Sequence, residues 1–88
     1  MKIDQPCWIR IDAGLTVKCR LTCIAPNRAR VVVPPGISLP ETCDLYFRAD
    51  GKVGRKCNLR RQSDDLAELD ITGKFGELTP GEKDIFEV

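Results

Sequence analysis

Between Leu15 and Cys23 the polarity of the chain switches at almost every step. Leu15, Val17, Cys19, Leu21 and Cys23 fall on one side, and Thr16, Lys18, Arg20 and Thr22 on the other. A period of two predicts a β-strand with one face against a core. The segment before it sets Cys7, Ile9 and Ile11 against Trp8 and Arg10, and Asp12, Ala13 and Gly14 supply a turn, so the two runs read as a hairpin. After the turn residues Ala25, Pro26 and Asn27, residues 29–33 form a β-branched run. It stops at Pro34 and Pro35, where two missing amide donors end any ladder.

Residues 37–42 read as a loop. Cys43, Leu45 and Phe47 then alternate with Asp44 and Tyr46 up to a turn at Asp50 and Gly51. Residues 54–61 and 66–72 give two more strands around a polar turn at 62–65, with Cys57 and Leu59 facing Leu69 and Ile71. Six short strands with frequent turns suit a mainly β barrel or sandwich. Thr79, Pro80 and Glu82 have the spacing of a capping box with proline at the first helical position, which predicts a short helix from Pro80 to about Glu87.

With 88 residues, the chain suffices for one domain, a barrel over about 7–72 and a tail over about 79–88. No apolar run approaches the roughly 18 residues of a membrane span, and residues 1–12 lack the apolar stretch of a secretory signal, so a soluble cytoplasmic protein is expected. The five cysteines are odd in number and sit in apolar segments, which favours reduced thiols serving as small core residues. Cys19 and Cys23 lie about 13 Å apart along a strand and cannot share a metal, so no metal site is expected.

Histidine is absent. That excludes imidazole-based triads and mixed Cys/His zinc sites. The carboxylates Asp64, Asp65, Glu68 and Asp70 are crowded, but the first two suit a turn and the others the outer face of a strand. Without a nucleophile beside a base, or a glycine-rich phosphate loop, the chain reads as no enzyme. Basic residues gather at Lys52, Arg55, Lys56, Arg60 and Arg61, and again at Lys18, Arg20, Arg28 and Arg30. On adjacent strands they would form a face for phosphate or nucleic acid. A net charge of +1 and few spare aromatic rings argue against nucleic acid as the partner.

The order of these features resembles a small bacterial PilZ domain, the family of cyclic di-GMP receptor barrels. The likeness spans about residues 7–71 and rests on the strand at 19–23, the loop and strand at 24–33, the segment at 39–47 with its Leu39-Pro40 pair, and residues 57–61. It implies a six-stranded antiparallel β-barrel with a short C-terminal helix. In ligand-binding members an RxxxR segment grips the nucleotide and a DxSxxG motif completes the pocket. Here the N-terminal segment has no RxxxR, and Cys23, Ala25 and Arg28 fall on the Asp, Ser and Gly positions.

A thiol is a weak hydrogen-bonding group and a methyl is none. Losing two or three ligand hydrogen bonds at about 1–3 kcal/mol each weakens binding by on the order of a thousandfold or more. The resemblance therefore implies a degenerate PilZ-like adaptor acting on a protein partner in signalling, motility or pilus regulation, with no cofactor and no ordinary cyclic di-GMP binding. Homodimer formation is compatible with it. Two alternatives stay open: a weak or non-standard cyclic di-GMP receptor binding through Cys23, Ala25, Arg28 and Arg30, and a small nucleic-acid-binding barrel using the two basic groups.

Overall fold

Strands with one apolar face bury it either against a second layer or by curling the sheet on itself. This chain does the latter. The computed structural model describes residues 2–86. Its elements are β1 (Lys2–Asp12), β2 (Leu15–Ala25), β3 (Arg28–Val32), β4 (Thr42–Tyr46), β5 (Gly54–Ser63), β6 (Leu66–Phe75) and α1 (Pro80–Phe86). The strands close into a barrel in the order β1-β2-β3-β6-β5-β4, with every pair antiparallel. The mainly β class, the six-stranded barrel and the short terminal helix all match the sequence reading. No helix among the described residues is long and apolar enough to cross a membrane.

Side chains alternating inward fill the barrel: Cys7 and Ile9 from β1, Cys19 and Leu21 from β2, Ala29 and Val31 from β3, Cys43 and Leu45 from β4, Cys57 from β5, Ala67 and Leu69 from β6. Cys57 stands opposite Ile71, and Leu59 opposite Leu69, as the pattern predicts. Gly54 sits in register between Tyr46 and Phe75. A Cβ there would collide with the Leu45 carbonyl and lie 2.7 Å from the Phe75 ring. The bare backbone lets those two rings meet edge-on at 5.4 Å.

The capping box forms in both directions: the Thr79 amide donates to Glu82 Oε1 at 2.9 Å, and the Glu82 amide to Thr79 Oγ1 at 3.3 Å. The helix it starts lays Phe86 flat on Phe47, with ring centroids 4.2 Å apart. The expected last residue of this helix, Glu87, lies outside the described residues. The loop between β3 and β4 is held by Gln62, whose side chain accepts from the Leu39 amide at 2.9 Å and donates to the Ile37 carbonyl at 2.7 Å. Gln62 thus belongs to β5 and not to the turn.

Three other readings are corrected. A register shift between Leu21 and Cys23 inverts the alternation, so Ile24 is buried and Cys23, expected inside, is half-exposed. Leu15, also expected inside, is 45% exposed because it belongs to the hairpin end of β2, next to the turn. Arg55 is not part of an outer basic face. It is only 5% exposed, its Nη1 donates to the Gly54 carbonyl at 2.9 Å, and its guanidinium lies 4.9 Å from the Phe47 ring centre.

Candidate functional site

The residues at the altered motif positions converge at the β2–β3 hairpin. Pro26 and Asn27 form its two-residue turn, closed by Ala25 opposite Arg28, and Cys23 stands opposite Arg30. Asn27 accepts a hydrogen bond from the Ile71 amide at 2.9 Å, which pins the turn to β6. Cys23, Ala25, Arg28 and Arg30 line one hollow with Ala29 and Glu68. The register shift in β2 brings Cys23 to this outer side. Its volume is about 70 Å³, against roughly 300 Å³ for the smaller pockets that take a drug-sized ligand.

Neither arginine is idle. Arg30 Nη2 donates to Glu68 Oε1 at 3.0 Å, and Arg28 Nε lies 3.8 Å from Asp70 Oδ1. The second basic group reaches the same two carboxylates from the other side, since β6 runs between β3 and β5. Arg61 Nη2 approaches Glu68 Oε1 at 3.5 Å, and Arg60 Nη1 lies 3.3 Å from both oxygens of Asp70. A register shift between Leu59 and Arg61 allows the consecutive arginines 60 and 61 both to be exposed. The two basic groups are therefore not on adjacent strands. Four arginines flank two carboxylates, and the face is mixed in charge.

Glu68 records this field. The hydrogen bond from Arg30, followed by the charges of Arg61, Arg30 and Arg28, holds its carboxyl below the usual range. The sequence shows the arginines but not their partners, because β6 reaches β3 only through barrel closure.

Elsewhere on the wall an open hollow of about 440 Å³ is bounded by Arg10, Asp12, Asp44, Lys56, Asn58 and Thr72, among others. Its lining mixes charges of both signs. All five cysteines are free thiols, and no group of Cys, Asp or Glu among the described residues is arranged to hold a metal ion. No protein-family model, curated protein or solved structure matches the chain.

Proposed function

We propose that this chain is a cytoplasmic, non-enzymatic regulatory module, a degenerate PilZ-like barrel that works through protein contacts and does not bind cyclic di-GMP in the ordinary way. One observation carries the reading. The positions that would form a nucleotide pocket do come together, but as a 70 Å³ hollow whose arginines already face Glu68 and Asp70. A bis-phosphate ligand placed there would have to displace two carboxylates of its own sign, and it would find a thiol and a methyl where hydrogen-bonding groups are needed.

The face of Arg28, Arg30, Arg60 and Arg61 around Glu68 and Asp70 suits an acidic protein surface. Exposed ion pairs are worth only about 0.2–1 kcal/mol each, so a partner's carboxylates can take over these guanidiniums at little cost. Arginine is also enriched among residues that dominate protein interfaces. Nucleic acid fits less well, because Glu68 and Asp70 stand in the middle of the positive ring.

Calorimetric titration with cyclic di-GMP tests the proposal. Affinity weaker than about 100 µM is expected, at least about a hundredfold below a sub-micromolar receptor. A sub-micromolar affinity reduced by Arg28→Ala would instead establish the alternative receptor reading.

A further inference from the structure

Four of the five cysteines point into the barrel, and they stand in two opposed pairs: Cys7 against Cys19 across β1 and β2, and Cys43 against Cys57 across β4 and β5. Directly opposed residues in an antiparallel ladder have Cα atoms about 4.5 or 5.5 Å apart. Both separations fall within the roughly 4.4–6.8 Å range of Cα distances that a disulfide spans, so the spacing of the strands permits a bridge.

The pairs differ in their chemistry. Cys7 and Cys19 face each other across the β1–β2 ladder, and each affects the titration of the other. The neighbouring Cys19 and burial push the Cys7 thiol far above its ordinary range, while the neighbouring Cys7 lowers Cys19. The Cys19 thiol donates to the Val17 carbonyl, 3.8 Å away. Access follows the same order. Cys7 is 0% exposed and Cys19 6%, and Cys19 belongs to the lining of an open groove of about 580 Å³ that also holds Lys18 and Arg20. Cys43 and Cys57 are both kept as thiols, pushed up by burial to about 11 and about 12.

We propose that Cys7 and Cys19 are a peroxide-modifiable pair, in which hydrogen peroxide oxidises Cys19 and Cys7 resolves the product into a cross-strand disulfide. The Cys19 thiolate attacks one peroxide oxygen, an S–O bond forms as the O–O bond breaks, and hydroxide leaves. The sulfur of Cys7 then attacks the sulfur of Cys19. The S–O bond breaks, and the proton of Cys7 goes to the departing hydroxide as water. Two thiols lose two electrons in all, and one peroxide becomes two waters. A small oxidant is the suitable one, because the attacking sulfur lies just beneath the surface. The product ties β1 to β2 in a bond that a thiol reductant can undo.

The test is peroxide treatment of the native protein at low molar excess, followed by alkylation, trypsin and mass spectrometry. Expected is a loss of about 2 Da from the unalkylated protein, with peptide 3–10 joined to the dipeptide 19–20 and both released by reductant. The proposal is overturned if, in folded protein, these two peptides stay reduced. It is likewise overturned if Cys7 is joined to Cys43 or Cys57, or if only the half-exposed Cys23 reacts.

Two variants separate the roles. Cys7→Ala should leave Cys19 at the sulfenic acid stage, where dimedone captures it, and Cys19→Ala should slow peroxide uptake at Cys7 by tenfold or more. Dimedone capture at Cys7 in Cys19→Ala at the wild-type rate would refute the assignment of roles. Circular dichroism checks that each variant is folded, and if either is not, the peptide map of the native protein decides alone.

Discussion

Glu68 is the residue on which most of the outer charge converges. Its depressed carboxyl pKa has a direct consequence for stability, because the unfolded chain lacks Arg30, Arg61 and Arg28 around it. A group whose folded-state pKa is lowered contributes stability that is fully present above its unfolded value, about 4.3 for glutamate. That contribution disappears as pH falls through the lower folded value. Urea denaturation between about pH 6 and 3 should therefore show the wild type losing stability more steeply than Glu68→Gln, whose amide does not titrate in this range. Equal slopes would mean that the arginines do not act on Glu68 in solution. Arg28 and Arg30 are tied into the fold by the same contacts, which is why the altered motif positions do not add up to an open anion site.

Among the elements, α1 shows how little sequence is needed to place a helix when the signal is local. Thr79, Pro80 and Glu82 predict its start, and the reciprocal hydrogen bonds of Thr79 and Glu82 are present. Thr79→Ala removes the cap and should cost about 1 kcal/mol, or roughly 4–8 °C in melting temperature for a domain of this size. A melting curve that does not move would show that the Phe86–Phe47 stack holds the helix without its cap. The strands were legible for a similar reason. Alternation depends only on neighbours in sequence, and the facing of Cys57 and Leu59 toward Ile71 and Leu69 follows from a short hairpin.

What alternation could not show is where it is interrupted. The shifts between Leu21 and Cys23, and between Leu59 and Arg61, are products of pairing with other strands, so Cys23 read as core and nothing in the pattern marked the break at the two consecutive arginines. Arg55 was misplaced for a different cause, since contacts that hold a charged residue on an inward position, such as those with the Gly54 carbonyl and the Phe47 ring, are made by folding and leave no mark on the local pattern. Three of the four positions of the candidate hollow, Cys23, Ala25 and Arg28, were identified from the order of motifs and Arg30 from its charge nearby, and the fold brings them together. Glu68 and Asp70, which define its charge, emerge only once β6 is seen beside β3.

At the scale of the whole molecule, closure removes every sheet edge but leaves the pairings unequal. β1 and β2 pair along most of their length, as do β5 and β6, whereas β1 meets β4 only at Trp8, Ile9 and Arg10, opposite Tyr46, Leu45 and Asp44. This seam has the fewest paired positions of any strand pair, so opening the barrel there parts the shortest ladder, even though Ile9 and Leu45 are wholly buried behind it. Local opening follows the least costly set of broken contacts. Amide hydrogen exchange under native conditions should therefore show the amides that bridge β1 and β4 exchanging well before those that bridge β5 and β6. Uniform protection around the barrel would mean that burial of Ile9 and Leu45 outweighs the short ladder. The Cys7–Cys19 bridge lies on the neighbouring β1–β2 pair, so oxidation should leave the seam the first place to open while raising protection in the hairpin that carries it.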